Sequence, residues 1–244
     1  MIKIENIEIH GWEPAIRGMR NPKNSWAKSD SEFLAEAEAE MLDEDGKPVK
    51  TKVYYEALSI GPNDHELMMR LKAGGPVHAK YRRMLVVYAD ITAPLYWWKE
   101  YDTYKVGTVA NSCSTMHKIQ AKKFTLDDFS HEHLLDTIFD EDVIDYGCCD
   151  CDMVIDASEA LNITIKLLNL YRKRYLETKD KKYWWQMIQL LPSSYNQKRT
   201  VMLTYEVLAG MDIWRQDHKL DEWREFCKTF KEQLPYSEIF AKEK

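Results

Sequence analysis

Ala93-Pro-Leu-Tyr-Trp-Trp-Lys-Glu-Tyr-Asp-Thr-Tyr-Lys-Val-Gly-Thr-Val-Ala-Asn-Ser-Cys-Ser114 is the stretch whose reading decides the fold. It follows residues 84–92, a compact apolar run of strand length, so a strand delivers the chain to Pro94. Proline is tolerated in the first turn of a helix, where its missing N–H would have no intrahelical partner. This predicts a short aromatic helix with Pro94 in its first turn. Charged and hydroxyl residues then arrive together over residues 99–105, and a Gly-containing polar loop ends in Ser112-Cys-Ser114. Large apolar surface beside clustered polar groups is what a partly enclosed ligand site needs.

Working outward, residues 2–9 alternate apolar and polar and read as an opening strand, while residues 19–31 are polar and read as a loop. Residues 33–42 are ambiguous. Their Ala/Glu content favours helix by propensity, whereas their alternation and the following Asp-Gly-Lys-Pro favour a hairpin with residues 50–58, and the reading leans to the hairpin. Residues 64–73 put Leu67, Met68 and Leu71 on one helical face, which Gly74-Gly75-Pro76 ends. Residues 124–156 are acidic without a clear period, and read either as a loop-rich insertion or as a segment holding a short helix. Asp156-Ala-Ser-Glu159 has the arrangement of an N-cap, and Leu161, Ile165, Leu168, Tyr171 and Tyr175 continue at helical spacing. A second helix over 183–190 stops at Pro192, and helices over 199–214 and 220–234 complete a helical C-terminal half. No internal repeat or low-complexity linker interrupts the chain, and one α+β domain over residues 1–244 is the economical organisation.

With 244 residues, 45% of them hydrophobic and 30% charged, the chain reads as an ordinary globular protein. A formal net charge of -6 argues against a surface for nucleic-acid polymers, yet leaves room for a local basic pocket that takes one phosphate. No apolar run approaches the roughly 20 residues that span a bilayer, and no basic segment followed by an apolar core opens the chain. A cytoplasmic protein without a membrane partner is expected. Five cysteines, three of them within Cys148-Cys149-Asp150-Cys151, do not describe a disulfide framework and are read as thiols. Only Cys148 and Cys151 have the spacing zinc prefers, with His131 and His133 as the nearest further ligands. A reduced loop is the preferred reading, and no metal is assigned. Cys113 invites a nucleophile reading, for which His117 at i+4 is the candidate base.

The opening stretch, read without gaps, is similar to the signature region of the flavin-dependent thymidylate synthases. There a strand runs into Ala-Pro, then Arg-Gln, then the motif RHRxxS and a loop ending near a serine. The matching residues here are Lys99-Glu100, Thr103-Tyr104-Lys105-Val106-Gly107-Thr108 and Cys113. Three further segments follow the family's order. Residues 64–78 resemble its helix, turn and His-bearing approach to the central strand, with His78 at that histidine. Leu191-Pro-Ser-Ser-Tyr-Asn-Gln-Lys-Arg-Thr200 resembles its Leu-Pro motif, and Arg215 matches an arginine in the helix beyond. The tail, residues 234–240, resembles its closing Pro-aromatic segment. The resemblance covers roughly two thirds of the chain and leaves residues 33–58 and 124–156 as insertions.

What the resemblance implies is an α+β fold of the thymidylate synthase-complementing-protein type, with a mainly antiparallel central sheet and long C-terminal helices. It implies a homotetramer with pockets for FAD and dUMP, and transfer of a one-carbon unit from methylenetetrahydrofolate to uracil C5. Residue by residue, it places substrate contacts at Glu100, Lys105, Cys113, Ser114, Lys198, Arg199 and Arg215. Cofactor contacts fall at His78, Thr103, Tyr104 and Asn111. The departures are specific. Thr103-Tyr104-Lys105 stands where the family has Arg-His-Arg, exchanging a rigid bidentate guanidinium for an uncharged hydroxyl and a point charge. Glu100 stands for a glutamine, Cys113 for the loop serine and Thr115 for an arginine. Positive charge is better kept at Lys198 and Arg199, so a phosphorylated ligand is expected while the FAD contacts are rewritten. Two functions follow: a divergent enzyme acting on a pyrimidine deoxynucleotide, or a non-catalytic nucleotide-binding or assembly module that retains the fold.

Overall fold

The computed structural model describes residues 2–42, 48–136 and 155–242. In chain order its elements are β1 (Lys3–His10), α1 (Trp12–Arg20), β2 (Glu32–Leu42), β3 (Pro48–Ser59), α2 (Pro62–Ala73), β4 (Val86–Pro94), α3 (Leu95–Tyr101), β5 (Val109–Ser112) and α4 (Thr115–Lys118). They continue as α5 (Ala157–Thr178), α6 (Lys181–Leu190), β6 (Asn196–Thr204), α7 (Tyr205–Arg215) and α8 (Asp221–Gln233). One four-stranded sheet has the order β1-β4-β6-β5, and β2 and β3 form a separate two-stranded sheet. The fold is α+β, as expected, with β5 antiparallel to β6 and Ser112 opposite Arg199.

Local signals place most elements. Asp156 caps α5 by accepting the Glu159 N–H at 2.6 Å, satisfying one of the donors that a helix N-terminus leaves without an intrahelical partner. β2 and β3 pair antiparallel, as the hairpin reading expects, with Ala37 opposite Val53. Alternation prevailed there over the helix propensity of alanine and glutamate.

Three expectations are corrected. Residues 12–20 form α1, so Met19 and Arg20 end a helix instead of starting a loop. Pro94 is the N-cap of α3, extended at φ -67 and ψ 151, and stands one position before the first turn. Residues 199–204 are strand, and the helix begins only at Tyr205. Gln197, Val201 and Leu203 are buried in alternation with the more open Lys198, Thr200 and Met202. That is a period of two, which a helical reading overlooks. Cys148, Cys149 and Cys151 lie outside the described residues.

The chain divides into two compact units. The first comprises residues up to 7, 88–202 and 215–229. Its aromatic centre sets Trp97 against Trp98, Tyr101, Trp223 and Phe226 with ring centroids 4.7–5.6 Å apart. Burying a ring of this size contributes on the order of 4 kcal/mol gross. A second cluster gathers Leu161, Ile165 and Leu168 of α5 and Met187 of α6 with Ile119, Phe124 and Phe129.

The second unit comprises residues 8–87, 203–214 and 230 onward. Trp12 meets Tyr205 and Tyr236 edge-on at 5.6 Å. The buried Arg20 guanidinium pairs with buried Asp64 at 2.6 Å. Asp64 also accepts from Ser29 and Ser31 at 2.7 Å and from the Asp30 N–H at 3.1 Å. Burial works to raise the Asp64 carboxyl, but these hydrogen bonds outweigh it and hold the group below the usual carboxylate range.

Two glycines test the backbone. Gly11 has φ +99, and an added Cβ would lie 2.1 Å from the Met84 carbonyl oxygen, whereas Gly75 at φ +87 has open space around it. Gly11→Ala is expected to cost on the order of 3 kcal/mol, from strain and clash together. Gly75→Ala is expected to cost about 1–2 kcal/mol from strain alone. Urea midpoints compare the two directly, and equal losses would refute the clash.

Candidate functional site

Helix α3 carries the centre of the candidate site, and its first N–H groups fix where it sits. Because Pro94 holds the preceding backbone extended, the Leu95 and Tyr96 amides point beyond the helix. They donate to the Tyr195 and Ser193 carbonyls, both at 3.0 Å. The Trp98 indole N–H adds a bond to the Gln197 carbonyl at 2.9 Å. The Ala-Pro segment and the Leu-Pro segment are therefore bonded neighbours within the first unit.

Glu100 projects from α3 into a cluster that only long-range folding assembles. Its Oε2 accepts from Arg215 Nη1 at 2.6 Å and from the Trp223 indole at 3.2 Å, with His218 Nε2 3.5 Å away. Arg215 Nε donates to the Tyr104 hydroxyl at 3.0 Å. The guanidinium carbon lies 4.9 Å from the Trp223 ring centre and 5.7 Å from that of Tyr104. A delocalised cation over aromatic faces is favourable where water is scarce. The arrangement locks Arg215 in one orientation, and its Nη2 makes no hydrogen bond among the described residues.

The two cations of the Leu-Pro motif are partnered as well. Arg199 pairs with Asp102 at 2.8 Å, donates to Gln197 Oε1 at 3.0 Å, and stacks 4.2 Å from the Trp98 ring centre. Its Nη2 likewise makes no hydrogen bond among the described residues. Gln197 is itself oriented, because its amide donates to the Cys113 carbonyl at 2.8 Å. Lys198 pairs with Asp90 at 3.1 Å, and Asp90 also accepts from Thr200 at 2.6 Å and Asn6 at 3.0 Å. These bonds, Thr200 foremost and then Asn6 and Lys198, push the Asp90 carboxyl down to about 2. The Asp90 bond raises the Lys198 ammonium above its ordinary value in turn.

The remaining predicted residues are spread over the surface. Lys105 is exposed and makes no ion pair among the described residues. Thr103 donates to the Glu100 carbonyl at 2.7 Å, a local contact at the end of α3. Asn111 is exposed on β5 opposite Thr200. Ser114 is the N-cap of α4 and accepts the His117 N–H at 3.1 Å. Cys113 is an exposed free thiol, and no hydrogen bond joins it to His117 among the described residues. His78 belongs to the second unit, in the turn after α2.

Five partners were missed by sequence reasoning: Asp90, Asp102, Gln197, His218 and Trp223. Asp90 carried a usable signal, since it is a polar residue among the outward positions of a strand whose Val87, Ala89 and Ile91 point inward. Trp223 carried none. A further pair, the Tyr96 hydroxyl donating to Glu222, also links α3 to α8. Burial, followed by that carboxylate, raises the Tyr96 phenol well above its ordinary value.

No protein-family model matches the chain, and no curated protein matches it in sequence. Solved structures do match it. Thymidylate synthase X from Helicobacter pylori, solved with FAD and dUMP, matches at a TM-score of 0.61 with 15% identity, over 98% of this chain and 97% of that one. A second structure of the flavin-dependent enzyme from H. pylori, complexed with FAD and dUMP, matches at 0.59 with 15% identity, over 97% and 98% of the two chains. A UMP/dUMP methylase from Streptomyces cacaoi bound with 5-Br UMP matches at 0.56 with 11% identity, over 98% and 93%. The fold is that of the flavin-dependent thymidylate synthases, as the Ala-Pro and Leu-Pro motifs led one to expect.

The Asp90 cluster has a pH signature. A carboxyl held near 2 when folded and near the ordinary value when unfolded stabilises the fold fully above about pH 4, and loses that contribution as pH falls through about 2. Asp90→Asn is expected to cost about 1 kcal/mol at neutral pH, after allowance for solvent screening, and progressively less as pH falls towards 2. Melting curves of both proteins between pH 2 and 7 should converge at the acid end, and parallel curves would refute the assignment.

Proposed function

We propose that the first unit binds a pyrimidine deoxynucleotide, with dUMP as the working ligand. The observation that carries the reading is a pair of guanidiniums, Arg199 and Arg215, each locked by a carboxylate and an aromatic face with Nη2 uncommitted. Rigid donors of this kind suit phosphate and carbonyl oxygens, because little side-chain freedom is lost when they engage. In this reading Arg199 takes the phosphate and Arg215, oriented by Glu100, addresses the uracil, while Lys198 lies on the opposite face of β6 beside Asp90 and Thr200 and falls outside the contact. The loop at Cys113 and Ser114 lies against the nucleotide. Support comes from the fold, which is shared with structures holding dUMP or 5-Br UMP. Assembly as a homotetramer belongs to the same reading and is measured by light scattering.

The enzymatic form of this reading is transfer of a one-carbon unit from a folate to uracil C5, with bound FAD supplying the hydride. Residues 103–105 do not fit the diphosphate of that cofactor. Thr103 and Tyr104 carry no charge, and both hydroxyls are engaged by Glu100 and Arg215. Only Lys105 offers a cation there. This misfit favours the second form, a nucleotide-binding or assembly module without turnover. Nucleotide binding is common to both.

Calorimetric titration with dUMP is expected to give a dissociation constant below about 1 mM. Arg199→Ala and Arg215→Ala should each weaken it at least tenfold. Absence of binding by the parent protein would overturn the reading. A yellow preparation that releases tritium from 5-labelled dUMP would establish the enzymatic form. A colourless one that binds without release would establish the module.

A further inference from the structure

Arg199 and Arg215 are held by carboxylates, but several cations at the closed end of the α5–α6 hairpin are held by aromatic rings instead. The chain there reads Tyr171-Arg-Lys-Arg-Tyr-Leu-Glu-Thr-Lys-Asp-Lys-Lys-Tyr-Trp-Trp185, with six basic and five aromatic residues against Glu177 and Asp180. In a chain of net charge -6 this is a local reversal of sign, which the average conceals. Lys182 pairs with Asp180 at 3.0 Å and Lys173 with Glu177 at 3.9 Å, both on the surface. Arg174, Lys179 and Lys181 make no ion pair among the described residues. The Arg174 guanidinium lies 5.7 Å from the Tyr183 ring centre, and the Lys181 ammonium 5.8 Å from those of Trp184 and Trp185. A ring face orients a cation without cancelling its charge, so the field at this end stays open to an anion.

The hairpin is also held in shape before any partner arrives. Tyr171, Tyr175 and Trp184 pack against the cluster that contains Leu168 and Met187. The Arg172 guanidinium donates to the Gln120 carbonyl at 2.9 Å, and the Trp184 indole to the Met116 carbonyl at 3.2 Å. The Lys179 N–H closes α5 by donating to the Tyr175 carbonyl at 2.8 Å. Lys179 does so at φ +57, a left-handed conformation that favours glycine, so the turn gives up backbone stability while carrying a cation. Trp185 meets Trp184 edge-on at 4.9 Å and is 43% exposed, which leaves a steadied ring open to solvent next in sequence to the core-packed Trp184. Groups fixed in this way require less ordering on binding than groups on loose loops.

Cations interleaved with an exposed ring match one class of polyanion. A nucleic-acid strand offers phosphates to the cations and, where its bases are unpaired, a π-face to the tryptophan. A duplex keeps its base faces inside the stack. A lipid surface asks for a broad apolar face, whereas the exposed residues among 172–178 are charged or polar apart from Leu176. We infer that the closed end of this hairpin binds single-stranded nucleic acid, with Arg174, Lys179 and Lys181 on phosphates and Trp185 stacked on a base. None of these residues belongs to the pyrimidine reading, and the inference stands or falls separately from it.

The test is fluorescence anisotropy of the full chain with a labelled 20-nucleotide oligothymidylate, and with oligouridylate of the same length beside it. The dissociation constant is expected below about 10 μM at 50 mM salt and at least about tenfold weaker at 200 mM, as three phosphate contacts require. The double variant Arg174→Gln, Lys181→Gln should lose at least about tenfold in affinity and show a shallower salt dependence, with its melting temperature unchanged. Trp185→Leu should lose at least about fivefold while the salt dependence keeps its slope, because stacking is removed and no phosphate contact is. The tighter of the two strands names the source as DNA or RNA. No binding of either strand, equal binding by the double variant, or tighter binding of a duplex of the same length overturns the inference. Binding to phosphatidylserine vesicles in place of both strands also overturns it, and assigns the patch to an anionic lipid surface.

Discussion

Two hydrogen bonds at the head of α3 carry the first unit. A helix opens with N–H groups that its own backbone cannot satisfy, and burying them unpaired is costly. Here the Leu95 and Tyr96 amides are answered by the Tyr195 and Ser193 carbonyls, from a loop about 100 residues further along the chain. Because the helix axis follows from where its first amides bond, this contact sets the positions of Trp97, Trp98, Glu100 and Tyr101. It also brings the start of β6 alongside α3, which lets Trp98 stack on Arg199 and bond to Gln197. The aromatic centre and the charged cluster are consequences of that one junction.

The electrostatics of the candidate site are then close to self-contained. Of the four cations expected at the nucleotide, three have a carboxylate of their own: Lys198 has Asp90, Arg199 has Asp102 and Arg215 has Glu100. Half-buried charges need partners because desolvation penalises an isolated ion. The pairing reduces the raw attraction for an anion, but it also locks the guanidiniums so that their remaining edges are presented in one geometry. The exchange of glutamine for Glu100 fits this arrangement. The Glu100 Oε2 accepts from Arg215 and Trp223 together, with His218 close by, and an ionised carboxylate supplies the negative charge that a neutral amide cannot set against the guanidinium.

The second unit solves a similar problem with a different outcome. Asp64 gathers four donors, Arg20 among them, and so remains charged although it is fully buried. Its work is positional, since it ties α1 and the turn after it to α2. Lys23, Lys28 and Arg70, carried by the same elements, make no ion pair among the described residues.

Several parts of this protein were legible in the amino-acid order. The alternation of residues 2–9, the capping Asp156 with Glu159 three positions on, and the glycines after residue 73 act within a few residues, so a linear reading finds them. The order of the Ala-Pro and Leu-Pro motifs was enough to anticipate the fold. Local composition misled where two periods competed, as at residues 199–204, which form a central strand because Val201 and Leu203 are buried on one face of the sheet. The partners of the site were beyond any local pattern: Arg199 meets Asp102 across 97 positions and Arg215 meets Glu100 across 115. Sequence determined which residues carried charge and, outside residues 12–20 and 199–204, most of the helices and strands. Tertiary structure decided which charges were neutralised and which were left for a ligand, because Coulomb attraction and desolvation depend on distance and burial in space, and chain order specifies neither.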